Sequence, residues 1–473
     1  MPNAALFDWR PGERRLASLM AVNYFLYLFF IYLLKPARDS LFLINLHPSN
    51  LPWVYILTAL FAAPLVALHA RAGQRMKLER LTFLTQLIVM SSLVLMRLCL
   101  SIPHDGVYFL LYGLVAVVGG VITSQFWLMA NAMFDAGQAR RLFPVLAMGG
   151  IAGGFVGGEF TGLLVEQAWV DTPDLMLAAV VVLGLAGLVT LWTWRCNPLG
   201  SAIPREEEVK REGTGRLVVA RAVLGSRHLR LTVVLITLSV LAGSLVDFQF
   251  MTLSWQSYPD QENLTSFLGY FYGRVSLISL LIQLVLTTRL LKKLGAGGVL
   301  FLLPGILLLG GSFMLVMPGI LAGMLLQGSN LTLKYSVDKT SRELLFLPVP
   351  LALKKKTKLF MDTMVDRFAR GIAGLVLLAC TMLWGSNLMH VAIITLVVVA
   401  LWLLAAYAMR HAYIESFRQA VARRHFGIRD LTLRVHDSSS VKTLRQALEK
   451  GEEREVLFAL RLLEREDEPR LVL

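Results

Sequence analysis

Apolar runs of about 20 residues recur along this chain from near its N-terminus to about residue 411. Each run is close to the length that an α-helix needs to cross the hydrocarbon core of a bilayer. Of the 473 residues, 56% are hydrophobic and only 16% are charged, which is too little polar surface to cover a soluble protein of this size. The pattern predicts an all-α polytopic membrane protein.

The hydropathy pattern predicts twelve transmembrane helices, at about 17–46, 51–70, 82–101, 107–134, 143–168, 175–194, 230–256, 265–288, 298–317, 319–338, 361–383 and 388–410. The connections after the odd-numbered helices contain no Lys or Arg, whereas those after the even-numbered helices are basic. Cytoplasmic connections carry the excess of Lys and Arg. We therefore expect both termini in the cytoplasm and the protein in the cell (inner) membrane. The N-terminal stretch has no signal-peptide pattern, so the first apolar run should be retained.

The segment 195–229 is the one long polar insertion within the hydrophobic region. It predicts a cytoplasmic linker between two six-helix halves, 1–194 and 230–411. This is the plan of the major facilitator superfamily, in which substrate binds between the halves and alternating access exposes it to either side. Residues 412–473 form a polar cytoplasmic tail that reads as amphipathic helices and looks like the opening of a HEAT-type repeat, which suggests a truncated tail and a possible cytoplasmic partner.

Several classes of protein are disfavoured by the pattern of charge and motifs. The net charge of +14 comes mostly from the short connections, where it sets membrane orientation, so we expect no nucleic-acid partner. The three cysteines are scattered and predict neither a disulfide nor a metal site. The chain has no catalytic or ATP-hydrolysing motif, so we expect no catalytic residues, no cofactor and no enzyme activity. Transport would then be driven by exchange or an ion gradient, or be passive.

The first predicted span contains the charged segment Lys35-Pro36-Ala37-Arg38-Asp39. Charges at bilayer depth are costly unless they face a cavity or a partner. If the span is one helix kinked at Pro36, these charges lie well inside the membrane. The alternative is that the helix stops at Leu34 and the charges are interfacial.

Helices 10 and 11 carry further polar groups. The residues Gln327, Asn330, Lys334 and Asp338 step by three, four and four positions and so form one stripe on an apolar helix. The stripe predicts a cavity-lining face, although Lys334 and Asp338 could simply pair at the helix end. The eleventh span begins with charged residues that suit gate ion pairs, a proton site or a solvated helix start, namely Asp362, Asp366, Arg367 and Arg370.

Three isolated charges lie in other apolar runs. Asp247 and Arg274 could pair with each other, or Asp247 could couple transport to a proton. Glu159 follows two interlaced rows of glycine at four-residue spacing, which let a neighbouring helix backbone approach closely. Together, Lys35, Arg38, Arg274 and Lys334 are an excess of embedded cations. They predict an anionic, phosphorylated substrate.

The stretches LLKPARDSL, QFWLMANAMFDAGQARRLFPVLAMGG, LVD and KYSVDKTSRELLFLPVP, with LKKKTKLFMDTMVDRFARGIAG after them, resemble the ATP/ADP translocases of plastids and intracellular bacteria. The resemblance spans about residues 20–410 and implies a twelve-helix, major-facilitator-like transporter. It implies substrate contacts at Lys35, Arg38 and Asp39, adds Asn131 as a candidate contact and Asp135 as a candidate gate residue, and matches Asp247 to the family's acidic residue.

This chain has Lys35 where the family usually has Arg, and Arg38 where the family has Lys. Arg and Lys are not equivalent at a bidentate phosphate contact. The expected function is therefore a secondary transporter of a phosphorylated, nucleotide-like anion. A transporter or flippase of a phosphorylated lipid or envelope precursor is the alternative, and a ligand sensor that signals through the tail is a third reading.

Overall fold

The computed structural model describes residues 13–167, 170–196, 223–338, 365–385 and 387–422, with isolated positions between 341 and 361. All regular elements in these ranges are helical. The α-helices are α1 (Glu13–Asn45), α2 (Leu51–Arg75), α3 (Leu78–Cys99), α4 (Asp105–Met133), α5 (Ala136–Val165), α6 (Leu175–Cys196), α7 (Arg227–Ser257), α8 (Gln261–Ile282), α9 (Thr288–Val299), α10 (Leu302–Val316), α11 (Ile320–Leu333), α12 (Asp366–Trp384) and α13 (Leu388–Ala422).

Ten helices in the described ranges are long and apolar enough to cross a membrane. This confirms the prediction of a multi-pass, all-helical membrane protein. The second and tenth predicted spans correspond to α2 and to α11, and α11 continues as a π-helix at Lys334–Asp338. Neither is among the ten, so the count of twelve stays a prediction, as do the cytoplasmic termini. The predicted tail helices lie beyond residue 422, outside the described residues.

The first helix runs without interruption from Glu13 to Asn45 with Pro36 inside it. It therefore does not stop at Leu34, and the Lys-Pro-Ala-Arg-Asp segment is helical. A proline in a helix interior removes one backbone hydrogen bond and clashes with the preceding turn. The buried residues on both sides of Pro36 show that packing around α1 maintains the helix through this position.

The chain folds into two compact units. Unit 1 comprises Met1–Arg211, Phe250–Leu280 and Gly374–Ser386, and unit 2 comprises Glu212–Gln249, Leu281–Ala373 and Asn387–Leu473. The boundaries fall inside α7, α8 and α12, so each unit combines segments from different parts of the chain. The division into linear halves 1–194 and 230–411 remains a prediction.

In unit 1 the glycine rows of α5 allow two close helix crossings. A Cβ atom on Gly153 would lie 2.0 Å from the carbonyl oxygen of Phe25 on α1. A Cβ atom on Gly158, in the other row, would lie 2.6 Å from both the Gly269 carbonyl oxygen and the Gly273 Cα on α8. Only glycine permits backbones to approach this closely. The predicted packing role of the two rows is confirmed: the row of Gly153 faces α1, and the other row passes from α1 at Gly150 to α8 at Gly158.

In unit 2 a smaller apolar core joins α7 to α12 and to the segment between α11 and α12. Its buried members include Ile236, Val240, Phe346, Met361 and Ala369. The imidazole of His228 also reaches this segment, with its Nε2 2.7 Å from the Leu345 carbonyl oxygen. These contacts position the start of α7 against the segment that follows α11.

Candidate functional site

A cluster of charged and aromatic side chains lies in unit 1 around the proline of α1. Lys35, Arg38 and Asp39 are brought together because they occupy positions i, i+3 and i+4 of one helix. The Arg38 guanidinium donates to one oxygen of Asp39, with Nη2 at 2.5 Å and Nε at 2.8 Å. The Asp39 side chain is 1% exposed and that of Arg38 is 11% exposed. The ion pair is therefore almost fully removed from solvent.

Two tyrosines complete this cluster. The Lys35 ammonium lies 3.4 Å from the centre of the Tyr272 ring, and the Arg38 guanidinium carbon lies 3.9 Å from the centre of the Tyr112 ring. The Tyr272 hydroxyl also donates to the second oxygen of Asp39 at 3.2 Å. Contacts between a cation and an aromatic face stabilise the charge most when water is excluded. We call Lys35, Arg38, Asp39, Tyr112 and Tyr272 the α1 cluster.

The α1 cluster carries two cations and one carboxylate, so its formal charge is positive. An arginine presents a planar fork of donors that fits carboxylate and phosphate oxygens equally well, and a lysine adds a point charge. The arrangement is suited chemically to bind a phosphate group. Sequence reasoning missed both tyrosines, because an aromatic residue in an apolar run is indistinguishable from ordinary core.

A chain of hydroxyl groups adjoins this cluster. The Ser40 hydroxyl lies 2.5 Å from that of Thr265 on α8, which in turn lies 2.8 Å from that of Thr172. All three residues are buried. The hydrogen bonds and the Tyr272–Asp39 contact therefore join α1 to α8 over two helical turns of α8.

A second polar cluster lies in unit 2 on α11, the tenth predicted span, where the sequence predicts a polar stripe. The Gln327 amide donates to an oxygen of Asp247 at 2.6 Å, and the Asn330 amide donates to the Gln327 carbonyl at 3.1 Å. Lys334 begins the π-helix, one turn further on. A Cβ atom on Gly243 would lie 3.4 Å from the Lys334 ammonium nitrogen. The stripe thus faces α7. Gln327 and Asn330 form a hydrogen-bonded chain to Asp247, and Lys334 lies beside Gly243.

The charged groups near Lys334 pair with one another. Asp338 forms an ion pair with Arg342 at 2.5 Å, and Asp366 pairs with Arg370 at 2.9 Å, both at i, i+4 spacing. The charges of these four residues act on Lys334 through space. The pairing of Asp338 with Arg342 was not predicted, since the sequence suggested Lys334 as its partner.

Two further residues were predicted for the start of the eleventh span, Arg367 and Asp362, and the structure describes only Arg367. Arg367 lies half-buried in the first turn of α12, next to Asp366. Asp362 lies outside the described residues, so its proposed gate role stays a prediction.

Glu159 and Arg274 form an ion pair between α5 and α8, with 3.1 Å between the Arg274 Nε and a Glu159 oxygen. The Arg274 side chain is 65% exposed and that of Glu159 is 26% exposed. Arg274 also lies over the Tyr270 ring, at 5.1 Å. Asp247, which we considered as a partner of Arg274, instead accepts the Gln327 amide described above. The Glu159–Arg274 pair therefore joins α5 to α8 next to the close crossing at Gly158.

Two residues added by the family resemblance have local structural roles. The Asn131 amide donates to the Trp127 carbonyl one turn earlier, at 2.7 Å. Asp135 is the N-cap of α5: its carboxylate accepts the Gln138 backbone N–H at 2.8 Å, and the Gln138 side chain accepts the Asp135 N–H. This is a capping box, which satisfies two otherwise unpaired donors. The structure does not place either residue in the two clusters.

Among the residues that the structure describes, no group of three or more His, Cys, Asp or Glu side chains is arranged to hold a metal ion. The described candidate groups are thus the α1 cluster and the Lys334 cluster. The Lys334 cluster consists of Asp247, Gln327, Asn330 and Lys334. Both clusters place ionisable side chains on apolar helices. Such groups in membrane proteins mark substrate and ion pathways.

The fold and the buried charge clusters are those of a multi-pass membrane protein. The chain is similar in structure to the nucleoside transporter NupG, with a TM-score of 0.61 at 12% sequence identity over 84% of this chain and 99% of that chain. It is also similar to the xylose transporter XylE from E. coli in its inward open conformation, with a TM-score of 0.55 at 12% identity over 83% of this chain and 94% of that chain. At these identities the likeness shows the fold alone, which is major-facilitator-like.

The model of the TLC ATP/ADP transporter family matches residues 74–319, more than half of the chain, and this protein belongs to that family. It is 21% identical over 348 residues to ADP,ATP carrier protein 3 of Rickettsia bellii, covering 62% of this chain and 68% of the relative. It is 22% identical over 334 residues to the chloroplastic ADP,ATP carrier protein 1 of Arabidopsis thaliana, covering 63% of this chain and 53% of the relative. The resemblance seen in the sequence is confirmed at the level of family.

Proposed function

We propose that this protein is a secondary transporter that moves a nucleotide-like, phosphorylated anion across the cell inner membrane by alternating access. Lys35 and Arg38 bind the phosphate groups. The observation that carries the proposal is the α1 cluster, in which the Arg38–Asp39 pair is almost fully removed from solvent and a half-buried Lys35 lies beside it on a membrane-spanning helix. Membership of the ATP/ADP transporter family supports a nucleotide as the substrate class.

Placing a charge away from water costs free energy. A desolvated charge needs stabilising partners, and the α1 cluster, with two cations and one carboxylate, is formally positive. A phosphate group brings further negative charge and several acceptor oxygens to the same place. It would therefore bind more strongly here than a neutral solute of the same size.

The Lys334 cluster is a second candidate for binding anions. Gln327 and Asn330 offer amide groups and Lys334 offers a cation on one helical face. We propose that this cluster also contacts the substrate. The adjoining pairs, Asp338–Arg342 and Asp366–Arg370, would then hold the ends of the helices in place.

The lipid substrate and the sensor, both considered from the sequence, are not proposed. The comparisons with known proteins support transport of a nucleotide-like solute. No observation on the described residues favours a lipid headgroup over a soluble phosphate, and the tail lies outside the described part of the chain.

The test is uptake of radiolabelled ATP and ADP into liposomes that contain the purified protein, with and without nucleotide inside. Wild-type protein should take up nucleotide, and Lys35→Ala and Arg38→Ala should lose most of the uptake. Arg97→Ala is the matched control, because Arg97 forms an ion pair with Asp174 in the same unit at 2.7 Å, outside the α1 cluster. No uptake of any nucleotide by the wild-type protein, or equal loss in Arg97→Ala, would count against the proposal.

A further inference from the structure

We propose that Asp39 is an internal competitor of the substrate. In the empty carrier its carboxylate occupies the Arg38 guanidinium and ties α1 to α8, and an anionic substrate must displace it. The inference rests on the proposed function and deepens it. Asp39 becomes a positioning residue that makes transport depend on exchange, in place of the substrate contact implied by the family resemblance.

Asp39 already occupies the two neighbouring N–H donors of Arg38 that a phosphate would use. One carboxylate oxygen accepts from both Nη2 and Nε of Arg38, at 2.5 and 2.8 Å. A phosphate binds arginine through such a pair of neighbouring donors. Asp39 is also negatively charged and 1% exposed, so it cannot share this edge with a second anion. Binding of the substrate at that edge and pairing of Asp39 with Arg38 are therefore mutually exclusive.

Asp39 also joins two helices. Its other oxygen accepts the Tyr272 hydroxyl of α8 at 3.2 Å, and the same Tyr272 ring lies beneath the Lys35 ammonium at 3.4 Å. The next residue of α1, Ser40, contacts Thr265 of α8 at 2.5 Å. Asp39 is thus at the centre of the contact between α1 and α8. Once Arg38 turns to a substrate phosphate, Asp39 loses its ion pair with Arg38, and the conformation in which Asp39 is buried against α8 becomes less stable.

The consequence is a coupling rule. Without substrate, the Arg38–Asp39 pair is intact and α1 stays tied to α8. With substrate, the tie is weakened and the helices can separate. An empty carrier would then change its conformation slowly, and net flux would be much slower than the exchange of one nucleotide for another.

The test compares uptake of radiolabelled ATP into ADP-loaded liposomes and into empty ones. Asp39→Asn removes the competing charge but keeps the size of the side chain and its acceptor for Tyr272. We expect this variant to raise uptake into empty liposomes about tenfold, and to lower the half-saturating ATP concentration, while wild-type protein stays dependent on internal ADP. Asp174→Asn is the matched control, since it breaks the Arg97 ion pair in the same unit and should behave as wild type. Equal uptake into empty liposomes by Asp39→Asn and wild type would overturn the proposal.

Tyr272→Phe provides a second variant should Asp39→Asn fail to fold. It removes only the hydroxyl that donates to Asp39 and keeps the ring beneath Lys35, so it should shift uptake in the same direction by a smaller factor. If uptake by Tyr272→Phe depends on internal ADP as strongly as uptake by wild-type protein does, the tie does not run through this hydroxyl.

A readout that needs no substrate separates this inference from the proposed function. Amide hydrogen exchange of the unliganded protein should be faster in Asp39→Asn than in wild type for peptides covering 36–43 and 262–274, because a neutral amide accepts the Tyr272 hydroxyl less strongly than a carboxylate does and so weakens the tie between the helices. If wild-type protein transports no nucleotide but this difference is present, the substrate class is wrong and the tie stands. Unchanged exchange in both peptides would refute the tie itself.

Discussion

Replacing Gly153 by alanine tests the closest helix crossing in unit 1. The added Cβ atom would lie 2.0 Å from the carbonyl oxygen of Phe25 and 2.7 Å from its carbonyl carbon. Both atoms are backbone, so no side chain can rotate away. Real Cβ contacts are essentially never shorter than 3.0 Å, and α1 would therefore have to retreat from α5 by about 1 Å at this point.

The structure indicates the size of the effect. A radial gap of about 0.5–1 Å forfeits roughly a quarter to a half of the dispersion attraction between facing atoms. Overpacking a core position costs about 1–3 kcal/mol. The α1–α5 interface is long and contains further glycines, Gly149 and Gly157, whose added Cβ atoms would also meet backbone at 2.7 and 2.8 Å. We therefore expect a cost near the upper end, about 3 kcal/mol, partly offset by up to about 1 kcal/mol from the better helix propensity of alanine.

The assay is thermal unfolding of the detergent-purified protein, followed by intrinsic tryptophan fluorescence. An unfolding entropy of about 2.1 cal/mol/K per residue gives about 1 °C per kcal/mol for a chain of 473 residues, so a net cost of about 2 kcal/mol in Gly153→Ala should lower the midpoint by about 2 °C. Gly113→Ala is the matched control, because a Cβ atom on Gly113 of α4 would meet nothing within 4 Å. The control should be neutral or slightly stabilising. Equal midpoints for the two variants would refute the inference that glycine at position 153 is required by backbone contact.

Three further predictions concern single side chains. Asp135→Ala should destabilise the protein to unfolding by about 1 kcal/mol through loss of the α5 cap, with nucleotide uptake per folded molecule unchanged; loss of uptake without loss of stability would restore a gate role for Asp135. Lys334→Gln should abolish nucleotide-induced thermal stabilisation, because it removes the one cation of the polar stripe on α11; a stabilisation equal to that of wild type would remove Lys334 from the binding site. Arg274→Ala leaves Glu159 without its ion-pair partner on helices that cross the membrane, where water does not screen the remaining charge, so it should lower the free energy of unfolding by about 1–3 kcal/mol in chemical denaturation; an unchanged value would show that the pair is not needed to hold α5 to α8.

The membrane-spanning character and the polar faces could be predicted from the sequence because both are local properties. Length and hydropathy decide whether a helix can cross a bilayer, and a spacing of three or four residues places side chains on one face whatever surrounds them. The stripe that contains Gln327 and Asn330, the grouping of Lys35, Arg38 and Asp39, and the two glycine rows of α5 follow from this. The family was also recognisable from short stretches of sequence, because those stretches lie within single helices or at their ends.

The partners of these groups were decided by the tertiary structure alone. Tyr272 lies 233 residues from Asp39, and Arg274 lies 115 residues from Glu159. Nothing in a hydropathy pattern or a helical period specifies which helices lie side by side, and many pairings of apolar helices would bury similar area. Only the packing of α8 against α1 and α5, permitted by glycine backbones, brings a tyrosine hydroxyl to the carboxylate of Asp39. Sequence thus determined which groups are buried on each helix, and the fold determined that Asp39 faces Arg38 and α8.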